Sequence, residues 1–195
     1  MAPKDIAMAA RAVATDDDLI DRCVAGEAQA WRELHRTYHG QVVRLLNRLG
    51  LPPAEAEDAA QEVFVQVFRA LARFEKRAEL GTWIYRIAVG QAGRYRRSRI
   101  PRLLRWLVPE PPEATTARET GLDETEAAGR VRRALAQLSP AHRIALVLFE
   151  FEGLSGEQIA AITGSPTATV WQRLHYARRE FESWLREDPM EGKNR

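Results

Sequence analysis

The sequence predicts an all-α fold of two small helical domains joined by an acidic, proline-rich linker. Apolar residues recur at steps of three and four along most of the chain, without strand-like alternation of useful length. Between 106 and 122 this periodicity is lost, and prolines, threonines and acids gather. We therefore expect domains at 16–105 and 123–187, with frayed ends at 1–15 and 188–195.

Composition indicates an ordinary globular protein. Of the 195 residues 45% are hydrophobic and 29% are charged, which is ordinary for a folded domain. The longest apolar run, Ile144 to Phe149, is too short for a membrane span and no signal-peptide core is present, so we expect a cytoplasmic protein. The single cysteine, Cys23, excludes an internal disulfide and a zinc site built on several cysteines.

The formal net charge of +2 conceals a strong segregation of charge along the chain. Seven arginines and no acid lie between 80 and 109, whereas six acids and one arginine lie between 110 and 128. A positive face of this kind suits phosphate groups, although an ordinary solvated surface can look the same.

Three long helices are predicted in the N-terminal domain. The first carries apolar residues from Trp31 to Leu49 and ends at Gly50. The second covers about 54–72, and the third begins near Thr82. In the second helix one side is expected to be buried, and it comprises Val63, Phe64, Val67, Phe68 and Leu71.

Helix caps divide the C-terminal domain. Asp123 with Glu126 fits a capping box, and Ser139-Pro140 supplies a cap and a first-turn proline. Ser155 with Gln158 fits a second capping box, for a short helix that stops at Gly164. A long helix follows from Pro166. Two helices joined by a tight turn that contains glycine are typical of a helix-turn-helix.

The geometry of the last helix decides which side chains point outward. Val170, Leu174, Ala177 and Phe181 form its apolar stripe, so amide, imidazole and guanidinium groups lie on the opposite side. Such groups read base edges and hold phosphates. Trp171 is predicted either to touch DNA or to pack sideways on Ala168 or the preceding helix.

Two features of the N-terminal domain suggest binding surfaces. Val65 is predicted to be exposed within a ring of charged and polar residues, as in a protein-binding patch, although an isolated exposed valine is common. Trp83 and Tyr85 begin a helix that ends in arginines, a pattern that suits stacked unpaired bases. The alternative is that both aromatic rings belong to the core.

Four strings of the sequence resemble the extracytoplasmic-function (ECF) sigma factors of bacterial RNA polymerase. They are DAAQEVF at 58–64, GTWIYRIA at 81–88, LAQLSPAHR at 135–143 and EQIA at 157–160, the last followed by Thr169-Val170 and Ala177-Arg178. The resemblance covers about 16–187. It implies a sigma region 2-like helical bundle followed by a sigma region 4-like helix-turn-helix domain.

By this resemblance the chain is a sigma factor that binds core RNA polymerase and directs it to −35 and −10 promoter elements, where it helps to melt the −10 region. The implied partners are the β′ clamp helices and β flap of the polymerase, promoter DNA and an anti-sigma factor, without a metal or other cofactor. The residues implied in clamp-helix binding are Asp58, Gln61, Glu62 and Val65.

The loop 74–81 and the helix after it would hold the −10 strand by this resemblance, and the helix from Pro166 would enter the major groove at −35. The residues expected at −10 are Lys76, Arg77, Trp83, Tyr85, Arg86, Arg94, Arg96 and Arg97. Those expected at −35 are Thr169, Trp171, Gln172, Arg173, His175, Tyr176, Arg178 and Arg179.

The chain departs from the family pattern at four positions. Gly90 stands where these factors typically carry asparagine, and Arg94 where aspartate is frequent. Ala168 replaces a glycine, and Trp171 takes a position that is more often lysine or arginine. Glycine at position 90 is about 1 kcal/mol less favourable than alanine in a helix. It also alters the contact that the family makes with promoter positions −12 and −11. Trp171 suggests an unusual −35 preference.

Three other functions compete with this interpretation. An enzyme is disfavoured because the chain has no P-loop, GxSxG or HExxH, and His35 and His39 fit a solvated helical pair better than a metal site. A sigma-like decoy would bind an anti-sigma factor without binding DNA, which the cationic faces at 86–105 and 173–179 oppose. A stand-alone helix-turn-helix regulator would leave the N-terminal domain unexplained.

Overall fold

The computed structural model describes residues 16–99 and 126–187, and these parts of the chain are helical without any strand. The predicted all-α class is therefore confirmed. The N-terminal block comprises α1 (16–24), α2 (Ala28–Arg48), α3 (Pro53–Ala70), a 3-10 turn (Leu71–Arg73) and α4 (Leu80–Arg99). The C-terminal block comprises α5 (Glu126–Gln137), α6 (Pro140–Leu146), α7 (Gly156–Thr163) and α8 (Thr167–Glu187). The predicted linker 106–122, the Asp123 cap and both chain ends lie outside the described residues.

Helices α2, α3 and α4 pack against one another and form the core of the N-terminal block. Leu34, Leu46, Val63 and Ile84 are fully buried at their centre, as expected of apolar stripes at helical spacing. Gly50, which follows the C-cap residue Leu49 of α2, adopts a positive φ of 101° and lets the chain turn toward the proline-led start of α3.

The expectation that Phe68 is buried was wrong. Phe68 is 63% exposed, and its ring centroid lies 4.8 Å from that of Trp31 on α2. Each residue of a helix is rotated by about 100° from the one before it. Phe68 therefore lies about 100° from the buried Val67, and it is the outermost member of the apolar stripe on that side. The other predicted members of that stripe are buried or half-buried.

The C-terminal block is built on α8, against which α5, α6 and α7 all pack. Ser139 caps α6 as predicted, because its hydroxyl accepts the His142 backbone N–H at 3.3 Å. Helix α6 continues as a π-helical turn (Val147–Phe151). The Glu152 N–H donates to the Val147 carbonyl at 3.2 Å as this turn closes.

The two blocks contact each other mainly where α4 meets α7. An ion pair joins Arg48 Nη1 to Glu152 Oε1 at 2.9 Å, and Arg143 Nη1 donates to the Leu49 carbonyl at 3.2 Å. Within the described ranges, none of the helices combines the length and the apolar character that crossing a membrane requires.

Candidate nucleic-acid and protein interfaces

Helices α7 and α8 form the predicted helix-turn-helix. The Gln158 backbone N–H donates to Ser155 Oγ at 3.3 Å, and the Ser155 N–H donates to Gln158 Oε1 at 2.8 Å. This reciprocal pair confirms the predicted capping box. Gly164 ends α7 in the left-handed conformation with a φ of 66°, which a residue without a β-carbon adopts most easily.

The outward face of α8 carries the residues that the sequence predicted for DNA contact. Val170, Leu174 and Ala177 are buried and fix the rotation of the helix. The predicted contact residues are therefore exposed or half-buried, and they are Thr169, Trp171, Gln172, Arg173, His175, Tyr176, Arg178 and Arg179. These side chains form a polar surface that carries three arginines and no acid.

Trp171 packs sideways on the preceding helix and stays partly open to solvent. A β-carbon at Gly156 would lie 2.8 Å from its Cζ2, and its ring meets Phe149 edge-on with centroids 5.6 Å apart. Because 46% of Trp171 remains exposed, packing on α7 does not remove the indole from the surface. The sequence analysis did not identify Gly156, which is itself buried, as a point of close helix approach.

Arg178 is held by the neighbouring helix. Its Nε and Nη2 lie 2.8 and 2.6 Å from Glu150 Oε1, and its guanidinium lies 5.1 Å from the Phe149 ring centroid. Arg173 Nη1 donates to Ser165 Oγ at 2.9 Å. Glu150 thus places a carboxylate at the edge of the α8 surface. The sequence of α8 does not reveal this acid, because Glu150 lies 28 residues before Arg178.

A second exposed surface lies on α3. Asp58, Gln61 and Glu62 are exposed, and Val65 is 43% exposed among them, as the helical wheel predicted. Phe68, one turn further along, enlarges the apolar part of this surface. An apolar centre with a polar rim is the general anatomy of a protein interface.

The loop between α3 and α4 presents two basic side chains. Lys76, at a φ of 53°, lies 3.0 Å from Asp21 and 3.4 Å from Asp17, and these bonds, Asp21 first, raise the pKa of its amine. Arg77 is almost fully exposed and pairs with Glu75 at 2.8 Å. Both cations therefore lie at the surface, and the partners of Lys76 come from α1.

The two aromatic residues at the start of α4 differ in position. Trp83 is half-buried and packs on Phe74 with ring centroids 4.9 Å apart. Tyr85 is only 7% exposed, and its hydroxyl lies 2.9 Å from Glu152 Oε2. Burial, and next the Glu152 carboxylate, raise the pKa of Tyr85, so the phenol stays protonated as a donor. The expectation that Tyr85 offers its ring to nucleic acid is not met in this arrangement of the helices.

The arginines of α4 line its solvent side. Arg86, Arg94 and Arg97 are exposed, and Arg96 is half-buried. Arg94 spans to α3, since its Nη2 donates to Gln66 Oε1 at 2.7 Å and its Nε donates to Gln91 Oε1 at 2.9 Å. These bonds orient the guanidinium and leave it accessible.

His35 and His39 form a stacked pair with ring centroids 4.6 Å apart. His39 Nε2 lies 3.4 Å from Glu57, and the His35 ring lies 4.6 Å from that of Phe64. Burial, followed by the nearby His39, lowers the pKa of His35. Across residues 16–99 and 126–187 no group of three histidine, cysteine or acidic side chains is arranged to hold a metal ion.

Comparisons with known proteins match both blocks. The Sigma-70 region 2 family model matches residues 34–100, and the Sigma-70 region 4 model matches 128–181. The RNA polymerase sigma-H factor of Pseudomonas aeruginosa is 31% identical over 190 residues, covering 87% of this chain and 93% of its own. The ECF RNA polymerase sigma-E factor of Escherichia coli K12 is 28% identical over 188 residues, with the same coverage of 87% and 93%.

Two solved structures share the fold. CnrH in complex with the cytosolic domain of CnrY has a TM-score of 0.67 at 22% identity, and covers 87% of this chain and 96% of its own. The sigma factor RpoE in complex with the anti-sigma factor NepR, from Bartonella quintana, has a TM-score of 0.67 at 21% identity, and covers 83% and 99%.

Regions 2 and 4 in this order on one helical chain define a sigma factor, a protein of transcription initiation with a DNA-binding helix-turn-helix. The chain belongs to the ECF family of RNA polymerase sigma factors.

Proposed function

We propose that this sigma factor recognises promoters with two separate surfaces. The α8 surface would read the −35 element in the major groove, with arginines on phosphates and Gln172 and His175 on base edges. The loop before α4, with the arginines of that helix, would hold the melted −10 strand. The observation that carries this proposal is the presence of two cationic helical surfaces on two blocks, each with an aromatic side chain, Trp83 or Trp171.

The assignment of Tyr85 needs a rearrangement of the chain. Its ring is buried, and its hydroxyl is bonded to Glu152 of the C-terminal block and to Gln41 of its own block, so the ring would become available to a base only once these contacts open. Trp83 is half-buried against Phe74, so only part of its ring is open to solvent and could stack on a base. We therefore assign Trp83 and the two loop cations to the −10 strand in the present arrangement. Tyr85 is assigned to it only when the contacts around its ring have opened.

The α3 surface would bind the β′ clamp helices of core polymerase. Asp58, Gln61 and Glu62 supply polar contacts around Val65, and burial of an exposed valine contributes to affinity as it leaves water. The β flap would contact the C-terminal block, and an anti-sigma factor would cover the same surfaces. The protein would act in the cytoplasm, where core polymerase and promoter DNA are found, by binding and without catalysis.

Transcription in vitro with purified core polymerase tests this function. We expect initiation from a subset of a promoter library only when the chain is added, and the enriched templates would reveal the −35 and −10 preferences. If no template initiated while an anti-sigma factor still bound, a decoy function would replace the proposal.

A further inference from the structure

The first two turns of α8 carry an exposed apolar patch on the surface that is proposed to read the −35 element. Ala168 and Trp171 are both exposed, and they lie three residues apart, so their side chains are neighbours on the helix. Both residues depart from the family pattern, in which a glycine and a lysine or arginine stand at these positions. The two departures together replace a cationic position by an apolar patch.

The neighbouring helices hold the indole of Trp171 in one orientation. Its Cζ2, Cε2 and Nε1 are the atoms nearest to a β-carbon built on Gly156, at 2.8, 3.0 and 3.3 Å. Phe149 meets the indole edge-on, with ring centroids 5.6 Å apart. The edge that carries the one polar atom of the indole therefore lies against α7, while a rigid carbon surface stays open to solvent. A lysine or arginine at this position would have far more conformational freedom.

The charged groups beside the indole make this flank of α8 better suited to an apolar ligand than to a phosphate. The Arg178 guanidinium lies over the same Phe149 ring, 5.1 Å from its centroid. Its Nε and Nη2 lie 2.8 and 2.6 Å from Glu150 Oε1. The cation that shares Phe149 with the indole is therefore already paired with a carboxylate, and a phosphate would have to compete with it.

The major groove offers an apolar side chain one kind of partner. The C5 methyl of thymine is the apolar group among its base edges, whereas guanine, adenine and unmodified cytosine present hydrogen-bond donors and acceptors. Residues near the N-terminus of a recognition helix are the ones that reach base edges in helix-turn-helix proteins. Ala168 and Trp171 lie in that part of α8. A cytosine methylated at C5 presents the same group at the same place.

We infer that Trp171 and Ala168 recognise the C5 methyl group of a pyrimidine in the −35 element. Thymine is the ordinary ligand of this patch, and 5-methylcytosine at the same position satisfies it equally. Methylation of a cytosine there would therefore strengthen promoter binding by this chain. The inference rests on the proposed function, because it takes α8 as the reader of the −35 element.

Removal of single methyl groups from the DNA tests the inference. The full-length chain is combined with core polymerase, and the −35 element is the one most enriched from the promoter library. Each thymine of either strand is replaced in turn by deoxyuridine, which keeps the base pair and removes only the C5 methyl. Thymines in the spacer between the two elements, replaced in the same way, are the control. The measured quantity is the Kd of the holoenzyme for the duplex promoter.

We expect deoxyuridine at a −35 thymine that faces the patch to raise the Kd about fourfold, the factor that burial of one methyl group gives at 25 °C. Trp171→Phe, which keeps an apolar ring, should retain this penalty. Trp171→Lys should lose it, although its added charge should tighten binding to every duplex. Ala168→Gly should lower the penalty in part, and the spacer thymines should show none.

A comparison at cytosine separates the methyl group from the hydrogen-bonding pattern of the base. At the position that deoxyuridine identifies, the thymine–adenine pair is replaced by a cytosine–guanine pair, with or without a C5 methyl on the cytosine. The wild type should bind the methylated duplex about fourfold more tightly than the unmethylated one. Trp171→Lys should bind the two duplexes equally.

An equal Kd for thymine and deoxyuridine at every −35 position would overturn the inference, as would an enriched −35 element without a thymine on either strand. A penalty of the same size in Trp171→Lys would also overturn it, because the methyl group would then be read by other residues. Failure of the proposed function would look different, since the holoenzyme would then favour no promoter over unrelated duplex DNA.

Discussion

The indole of Trp171 occupies the space that a side chain at Gly156 would need. A β-carbon at that glycine would lie 2.8 Å from Cζ2 and 3.0 Å from Cε2 of the ring. The first residue of α7 and the recognition helix are thus fitted to each other, and a rigid ring rather than a flexible chain end lies at the contact. The unusual tryptophan in α8 and the glycine in α7 depend on one another.

Gly156→Ala should therefore destabilise the protein or displace Trp171. Overpacking of this kind costs about 1–3 kcal/mol, more than the helix propensity gained from alanine. Urea unfolding followed by circular dichroism measures the cost. In a Trp171→Lys background the same substitution should be neutral or stabilising, and equal costs in both backgrounds would show that the indole is not what limits position 156.

Gly90→Ala should stabilise the protein. Gly90 lies in the interior of α4, is exposed, and a β-carbon built there meets no atom within 4 Å. Alanine should raise the free energy of unfolding by about 1 kcal/mol through helix propensity. Gly26→Ala is a useful contrast because its φ of 87° strains any side chain although space is open. A loss of stability in Gly90→Ala would mean that the flexibility of α4 has a structural role.

Local rules predicted much of this structure from the sequence. The capping box at Ser155, the left-handed Gly164 and the buried stripe of α8 each depend on a few neighbouring residues, so their chemistry is readable in the chain itself. Exposure of Val65 followed from its wheel position in the same way.

Local sequence rules do not predict contacts between segments that are distant in the chain. The Tyr85 hydroxyl is bonded to Glu152 of the other block, and Arg178 is paired with Glu150 of the π-helical turn. No spacing rule connects positions so far apart. The predicted burial of Phe68 was wrong for another reason. Its position on the helical wheel is marginal, so its exposure depends on how α2 packs beside it.

Phe68→Ala should weaken core polymerase binding with little effect on folding. The ring is 63% exposed beside Val65, so truncation removes more interface than core. We expect core affinity to fall about fivefold to thirtyfold, as for a typical aromatic interface residue worth 1–2 kcal/mol. Val24→Ala, with an exposed valine at the end of α1, is the control. Unchanged affinity in a core polymerase titration would remove Phe68 from the interface.

His35 should make folding stability depend on mildly acidic pH. Burial and His39 lower its pKa in the folded state, so the unfolded chain binds its proton more readily. This contribution is fully present above the unfolded pKa of about 6.5 and is lost as pH falls from there through the lower pKa of the folded state. Urea midpoints between pH 7.5 and 5 should decline less in His35→Gln than in wild type. Parallel declines would assign the effect to other groups.

Substitutions of Arg178 and Glu150 test how charge on the α8 surface affects DNA binding. If Arg178 holds a phosphate, Arg178→Ala should reduce the slope of log affinity against log salt on duplex DNA by about 0.9. Glu150→Gln should instead strengthen duplex binding, because the acid 2.8 Å from Arg178 Nε competes with the phosphate and repels it. Arg132→Ala, an exposed arginine on α5, should leave the slope unchanged. If Glu150→Gln weakened binding as much as Arg178→Ala, Glu150 would act by orienting the guanidinium, and its repulsion of phosphate would be the smaller effect.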